Sequence, residues 1–149
     1  MSTAEPLALL DTNVLVYAAD AASEFHTDAK RLRDQGIEGT LPLAVSPQVL
    51  MEFFAVITNP RRVEHPRSPE EARIEVEKYL HATTIRKIHP GTDITERVLA
   101  LLQAHPEITR QQIFDCHLAA TMLTNRVTRI YTYNADDFRH FAGIEVLTP

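Results

Sequence analysis

Three acidic residues lie within apolar segments that are far apart along the chain. Asp11 follows Leu-Ala-Leu-Leu, Glu52 lies within Val-Leu-Met-Glu-Phe-Phe-Ala-Val, and Asp115 lies within Ile-Phe-Asp-Cys-His-Leu-Ala-Ala. Carboxylates are almost never fully buried unless they are paired or bound to a cation. Because several carboxylates in one pocket would repel each other, a divalent metal ion is the simplest way to stabilise them. The pattern therefore predicts a metal-dependent hydrolase.

Each of these acids, taken singly, is explained equally well by a structural role. A carboxylate that caps a helix or forms a salt bridge would also account for any one of these positions. All three stand at matching positions of the predicted fold, however, and this favours a shared site over three separate structural roles.

The elements that must position the acids are strands that alternate with helices. Ser46-Pro47 and the capping box Ser68-Pro69-Glu70-Glu71 mark two helix starts. Strands are predicted over Leu7–Leu10, Leu41–Val45, Thr84–Ile88, Ile130–Thr132 and Ile144–Leu147. Helices are predicted over Val14–Ala19, Glu24–Gln35, Pro47–Thr58, Ser68–His81, Ile94–Ala104 and Gln111–Asn125, with a helical turn over Phe138–Phe141. This order predicts one α/β domain over residues 1–149, with a mostly parallel sheet of about five short strands and helices on both faces.

The predicted fold brings the acids towards one edge of the sheet. In open α/β sheets the functional crevice lies at the carboxyl ends of the strands. Asp11 directly follows the first strand, and Glu52 lies in the second turn of the helix after the second strand. Glu52 and Asp115 each share a helix face with apolar side chains, such as Phe53 and Leu118. We therefore expect the three carboxylates to meet.

Composition limits the classes of function. The 149 residues have a formal net charge of −5 and 44% hydrophobic content, which argues against a broad electrostatic nucleic-acid binder. It leaves open an enzyme that meets phosphate through a bound metal. The single cysteine, Cys116, excludes an internal disulfide. With no apolar run long enough to span a membrane and no visible signal peptide, we expect a cytoplasmic protein.

At these residues the chain resembles the PIN-domain nucleases, and among them the VapC-type toxins of bacterial toxin–antitoxin pairs. The likeness extends over essentially the whole chain, in the same order as in the family. The matching stretches are Leu-Leu-Asp11-Thr-Asn-Val-Leu-Val-Tyr, Ser-Pro-Gln-Val-Leu-Met-Glu52-Phe, Phe-Asp115-Cys-His-Leu-Ala-Ala-Thr and Ile-Tyr-Thr132-Tyr-Asn134-Ala-Asp-Asp137-Phe138. The resemblance implies that Asp11 and Asp115 ligate Mg²⁺, or Mn²⁺ as a substitute. It implies that Glu52 supports the site directly or through water.

The fourth stretch departs from the family pattern. An acid often stands two residues after the Thr that corresponds to Thr132, and here that position holds Asn134. An amide oxygen can still ligate a hard cation, but one negative charge is lost. Asp137 could replace that charge or could cap the next turn, and we prefer the cap. We expect Thr132 to orient a carboxylate or a water, and Thr12 and Asn13 to form turns rather than to bind metal.

The resemblance implies an Mg²⁺-dependent endoribonuclease that leaves a 5′-phosphate and a 3′-hydroxyl. As a toxin it would be inhibited by an antitoxin that docks over the acidic cleft, and a homodimer is plausible. The alternative is a PIN-like module that binds RNA or a protein partner without cleavage, its chemistry lost through Asn134. Which RNA is cut is not readable from the sequence.

Other residues that could take part in chemistry have simpler explanations. Arg61 and Arg62 belong to a basic loop with His65 and Arg67, which could contact RNA phosphates; a solvated loop is the preferred interpretation. The seven histidines lack metal-ligand spacing, so zinc is not expected. His117 is predicted to face solvent or a partner. Packing roles are preferred over catalysis or base stacking for Cys116, Tyr131 and Tyr133.

Overall fold

The computed structural model describes residues 5–149 of the chain. The expectation that no signal peptide is present depends in part on residues 1–4, which lie outside the described residues. Five strands are present in the described part: β1 Ala8–Leu10, β2 Leu43–Val45, β3 Ile85–Lys87, β4 Arg129–Tyr131 and β5 Glu145–Leu147. The helices there are α1 Thr12–Ala19, α2 His26–Glu38, α3 Pro47–Ile57, α4 Pro69–His81, α5 Ile94–Ala104 and α6 Gln112–Thr124, and a 3-10 turn spans Ala135–Asp137.

The strands form one parallel sheet in the order β3-β2-β1-β4-β5. Leu9 of β1 lies opposite Ala44 of β2 on one side and opposite Ile130 of β4 on the other. The chain leaves β1 in one direction to build β2 and β3, then returns to the other side of β1 for β4 and β5. The predicted α/β class and parallel sheet are confirmed, and the strand order changes direction between β1 and β4, where such folds place their sites.

Helices cover both faces of the central strands. Every residue of β1 and of β2 is buried, and successive side chains of a strand point to opposite faces. A strand buried at every position must therefore be covered on both sides, as is usual for parallel sheets. Among the helices, α1 packs on α2 and α3, α3 packs on α4, and α5 packs on α6.

Two predicted helix ends differ from the structure for clear physical reasons. The second helix was predicted to end at Gln35, before Gly36 and Gly39, yet α2 continues through Gly36 to Glu38 and ends at Gly39, whose φ of +82° is left-handed. Gly36 lies inside the helix, where a Cβ would be 2.7 Å from Leu43 Cδ1. The glycine at this position therefore permits close packing of α2 against β2. The last helical turn was predicted over Phe138–Phe141, but the 3-10 turn precedes it at Ala135–Asp137.

The described residues include no helix that is both long and apolar enough to cross a membrane.

Candidate active site

Asp11 is fixed at the junction between β1 and α1. It is the N-cap residue of α1, and its Oδ1 accepts a hydrogen bond from the backbone N–H of Thr12 at 2.8 Å. Its Oδ2 accepts one from the Thr132 hydroxyl at 2.8 Å and one from Asn13 Nδ2 at 3.2 Å. Burial raises the pKa of Asp11, the bonds from Thr132 and Thr12 act against that rise, and the nearby Glu52 and Asp137 charges add to it.

Thr132 and Asn13 join the end of β4 to the start of α1. Thr132 is fully buried, and its Oγ1 accepts hydrogen bonds from the Asn134 N–H at 3.0 Å and from Asn13 Nδ2 at 3.2 Å. Asn13 Oδ1 accepts a bond from the N–H of Tyr133 at 3.1 Å. The Thr132 hydroxyl thus orients a carboxylate, the first of its two predicted roles, and Asn13 bonds both backbone and side chains.

Glu52 approaches the same junction from α3. Its Oε2 accepts a hydrogen bond from the Thr12 hydroxyl at 2.8 Å, and its Oε1 accepts one from Gln48 Nε2 at 3.1 Å. Thr12 was predicted only as a turn-forming residue, but its side chain holds Glu52 towards Asp11. Both Glu52 oxygens are therefore oriented by neighbours before any ligand binds.

Gln48 bonds Glu52, and His117 in turn bonds Gln48. Neither residue was predicted from the sequence to have a role in positioning Glu52. Gln48 Nε2 also donates to the Phe114 carbonyl at 3.1 Å, which fixes the amide so that its Oε1 faces His117 Nδ1 at 2.8 Å. Since an amide oxygen only accepts, His117 must have its proton on Nδ1. The position of Gln48 one turn before Glu52 was a usable sequence signal. His117, which was predicted to face solvent or a partner, is half-buried, and the bond to Gln48 joins it to α3.

Asp115 enters from the first turn of α6 and is partly buried. Within residues 5–149 its carboxylate accepts no hydrogen bond. Burial, followed by the charges of Asp137, Asp11 and Glu52 in that order, raises the pKa of Asp115 to about 7. Its two oxygens are free to bind a cation, and a cation would remove the repulsion that raises the pKa.

Asp137 faces the cleft instead of capping the turn, so the preferred interpretation of this residue was wrong. It is the last residue of the 3-10 turn, and none of the hydrogen bonds between described residues involves its carboxylate. Its charge raises the pKa of both Asp115 and Asp11. Asn134 is the residue before the turn, and its exposed side chain also borders the cleft.

These side chains line one cleft of about 510 Å³ at the carboxyl edge of the sheet. The predicted residues that it brings together are Asp11, Glu52, Asp115, Asn134, Asp137 and Arg62. Thr132 is not part of the lining, but it bonds Asp11, Asn13 and the N–H of Asn134, which all line the cleft. Arg61 is exposed, and it is not among the side chains that line this cleft.

The cleft suits a hard divalent cation. Its acidic and amide groups offer oxygen atoms, the ligands that Mg²⁺ and Mn²⁺ prefer. Among the described residues, no three of its acids bring their oxygens within 4.8 Å of each other. An ion bound here would therefore contact one or two carboxylates directly and keep several waters, which is the usual coordination of Mg²⁺.

A family model agrees with this arrangement: the PIN domain model matches residues 8–144. The chain is a member of the PIN domain family. A VapC ribonuclease of Mycobacterium bovis is 34% identical over 122 residues, which is 80% of each chain. Ribonuclease VapC48 of Mycobacterium tuberculosis is 29% identical over 143 residues, 93% of this chain and 94% of the relative. The predicted resemblance to the VapC group of PIN domains is confirmed.

Solved structures share the fold. The crystal structure of VapC20 from Mycobacterium tuberculosis, described as a Sarcin-Ricin loop cleaving toxin, superposes with a TM-score of 0.70 at 23% identity. The alignment covers 96% of this PIN domain and 99% of that chain. A toxin–antitoxin complex from Klebsiella pneumoniae gives a TM-score of 0.62 at 24% identity, over 95% and 97% of the two chains.

The basic loop of this PIN domain divides between two roles. The Arg67 guanidinium donates to the Ala19 carbonyl at 2.7 Å, and its backbone N–H donates to the Ile57 carbonyl at 2.7 Å. Arg67 thus fastens the loop to the ends of α1 and α3. His65, Arg61 and Arg62 are exposed, which agrees with a solvated loop, and Arg62 also borders the cleft.

The packing roles preferred for Tyr133 and Cys116 agree with the structure. Tyr133 packs in an aromatic group with Tyr17 and Phe25, with ring centroids 5.1 Å and 4.6 Å away. Cys116 is fully buried in the core, and burial raises the pKa of its thiol. A thiol in that state is a poor nucleophile.

Proposed function

We propose that this PIN domain is an Mg²⁺-dependent endoribonuclease and the toxin of a type II toxin–antitoxin pair. The observation that supports it best is the convergence of Asp11, Glu52 and Asp115 on one cleft at the carboxyl edge of the sheet. The relatives named VapC ribonucleases, which align over most of the chain, support RNA as the substrate.

Asp11 and Asp115 would hold the metal with different numbers of free oxygens. Each carboxylate oxygen has about two acceptor positions. Asp11 Oδ2 already accepts two hydrogen bonds and Oδ1 accepts one, so Asp11 has one position left on Oδ1. Both oxygens of Asp115 are available. We therefore assign Asp11 as a single-oxygen ligand and Asp115 as the more adaptable one.

The bound ion, Mg²⁺ or Mn²⁺, would activate a water and neutralise charge on the phosphodiester during hydrolysis. Glu52, fixed by Thr12 and Gln48, would orient that water through a carboxylate that cannot turn away. Arg62 at the border of the cleft would attract the RNA phosphate. Attack by water on phosphorus with departure of the 3′ oxygen leaves a 5′-phosphate and a 3′-hydroxyl.

The second candidate is a PIN domain that binds RNA or a partner without cutting. Asn134 favours this alternative, because it removes one charge from a position where the family often has an acid. Asp137 argues against it, because its carboxylate lines the same cleft. With Asp137 counted, the cleft still contains four acids, and we expect cleavage.

The proposed protein partner is an antitoxin that covers the cleft. A solved toxin–antitoxin complex is among the structural neighbours. The cleft groups four carboxylates around Arg62, so a basic side chain of the partner would find complementary charge there. A homodimer and a cytoplasmic location belong to the same proposal, on the basis of the family.

The test is cleavage of a mixed RNA pool by purified protein in Mg²⁺, in EDTA, and in EDTA followed by excess Mg²⁺. We expect cleavage only where free Mg²⁺ is present, with 5′-phosphate ends found by sequencing. Asp136→Asn is the matched control, since Asp136 is next to Asp137 but is 92% exposed and lies outside the cleft. Binding of RNA without cleavage at any Mg²⁺ or Mn²⁺ concentration would establish the second candidate instead.

A further inference from the structure

Three potential metal ligands meet outside the acidic cleft. One ligand atom each from His105, Glu107 and His140 lies within 4.8 Å of the other two. His105 ends α5, Glu107 follows it in the loop before α6, and His140 comes after the 3-10 turn. Zinc was not expected from the sequence, because the histidines lack the short spacing of metal ligands along the chain. The fold brings His105 and His140 together.

The two imidazole rings are held by a buried aromatic side chain. Phe141 is 2% exposed, and its ring centroid lies 5.3 Å from that of His105 and 4.1 Å from that of His140. The backbone of His105 is also fixed, because its N–H bonds to the carbonyls of Leu101 and Leu102. The fold therefore places the two imidazole rings beside each other, and the exposed Glu107 side chain completes the group.

The spacing fits a tetrahedral transition-metal ion. With metal–ligand distances of about 2.1 Å, neighbouring ligand atoms of a tetrahedral site are about 3.4 Å apart. His105 Nδ1 already lies 3.4 Å from Glu107 Oε1, and small rotations of the exposed His140 would bring in the third ligand. Imidazole favours Zn²⁺ and similar ions over Mg²⁺. Two histidines and one glutamate leave a fourth position for water.

A cavity of about 280 Å³ connects this group to the acidic cleft. Its lining includes Glu107 and His140 on one side and Asp115 and Asp137 on the other. His140 follows the turn that contains Asp137, and His105 lies at the end of α5. An ion bound by both histidines would therefore restrain that turn relative to α5.

We propose that His105, Glu107 and His140 bind one Zn²⁺ ion, and that this ion fastens the turn containing Asp137 to the end of α5. The site goes beyond the proposed nuclease activity and uses none of its ligands. Its occupancy stabilises the fold and limits movement of one wall of the active site.

The test is a Zn²⁺ titration of the tag-free full chain by calorimetry, with excess Mg²⁺ present to occupy the acidic cleft. We expect one Zn²⁺ per chain for the unsubstituted protein and for Asp115→Asn. His140→Gln and Glu107→Gln should each weaken binding roughly tenfold or more, since loss of even a supporting partner costs 10–100-fold at metal sites. His65→Gln is the control, because His65 is exposed and far from this group in the chain.

Thermal unfolding gives a second measurement that is independent of RNA cleavage. Zn²⁺ should raise the Tm of the unsubstituted protein and of Asp115→Asn, but not that of His140→Gln. The proposal is overturned if no stoichiometric Zn²⁺ binds, or if His140→Gln binds it as well as His65→Gln does. Loss of Zn²⁺ binding in Asp115→Asn alone would also overturn it, by placing the ion in the acidic cleft.

Discussion

The two walls of the acidic cleft are built on opposite principles. On the strand-end wall (Asp11, Asn13 and Thr132), the Asp11 carboxylate accepts three hydrogen bonds. On the helix-turn wall (Asp115 and Asp137), neither carboxylate accepts one from any described residue. The first wall fills most of the acceptor positions of its carboxylate within the protein, and the second leaves both of its carboxylates for a ligand.

This difference explains how a cation site can be both positioned and reactive. The hydrogen bonds of the strand-end wall fix Asp11 at low energetic cost, because buried acceptors that are paired are stable. Burial raises the pKa of Asp115, and repulsion from Asp137, Asp11 and Glu52 brings it to about 7; the same repulsion destabilises the metal-free fold. A divalent ion relieves that repulsion, so the repulsion that lowers the stability of the metal-free protein increases its affinity for the ion.

Asp115→Asn should have the largest effect on activity. Loss of the carboxylate with the freest oxygens should lower kcat for RNA cleavage on the order of 10²–10³-fold, as removal of one electrostatic stabiliser does. The metal-free variant should be at least as stable as the unsubstituted chain above pH 7, because an unpaired negative charge is removed. RNA cleavage and the midpoint of urea unfolding measure the two effects.

The control for this variant is Asp136→Asn, which removes a charge outside the cleft and should leave cleavage unchanged. Near-normal cleavage by Asp115→Asn would contradict the assignment of Asp115 as a metal ligand. A strong loss of stability in the same variant would show that the helix-turn wall has a structural partner.

Asp137→Asn should have the next largest effect, and Asn134→Asp should have a small one. If Asp137 replaces the charge that Asn134 lacks, its loss should reduce cleavage about 10–100-fold, in the range known for groups around metal sites. Asn134→Asp adds a fifth acid and should change cleavage by less than about threefold by the same reasoning. A large gain in Asn134→Asp with a silent Asp137→Asn would reverse the roles of these two residues.

The strand-end wall was the more predictable of the two from sequence. Asp11 comes directly after a short apolar strand, so its place at the sheet edge follows from the α/β pattern alone. Ser68 and Glu71 likewise form the predicted capping box at the start of α4. Local patterns sufficed for these residues because each depends on contacts within a few positions along the chain.

The helix-turn wall needed the fold. Asp137 was expected to cap the next turn. The 3-10 turn begins earlier than the sequence indicated, and for this reason the Asp137 carboxylate lines the cleft instead. The bond between Gln48 and His117 joins α3 to α6, and helix periodicity does not say which helices pack together. His105 and His140 meet for the same reason, across elements that the sequence separates.

Thr132→Val tests the strand-end wall through stability. Thr132 is fully buried and bonds Asp11, Asn13 and the Asn134 N–H. Valine keeps the shape but leaves these groups with fewer partners, so the free energy of unfolding should fall by about 1–3 kcal/mol. Chemical denaturation measures it, with Thr128→Val on the exposed loop before β4 as the control. An unchanged free energy of unfolding would show that these bonds contribute no net stability.

The pH dependence of stability should report the charge on Asp115 in the metal-free protein. The folded pKa of Asp115, about 7, exceeds its ordinary value of 3.8, so the native state binds the extra proton between these values. Stability contributed by this group therefore falls as pH rises from about 4 to 7 and is constant above that range. Tm should decrease across this window, and Asp115→Asn should reduce the slope.

Mg²⁺ sharpens the same measurement. Mg²⁺ binds Asp115 only after this carboxyl group has lost its proton. Mg²⁺ should therefore raise Tm more at pH 8 than at pH 6. An equal rise at both values would mean that Asp115 does not bind the ion. The slope of Asp115→Asn without metal gives the contribution of the remaining groups.

The smallest expected effect concerns substrate binding at the cleft border. Arg62 lines the cleft and Arg61, its neighbour, does not, so the pair forms a matched comparison of equal charge. Arg62→Ala should raise KM several-fold with little change in kcat, because one exposed phosphate contact contributes on the order of 1 kcal/mol. Arg61→Ala should change neither constant appreciably, and the KM difference should shrink as salt rises. Equal effects of the two substitutions would mean that the loop acts through its total charge rather than through a specific contact of Arg62.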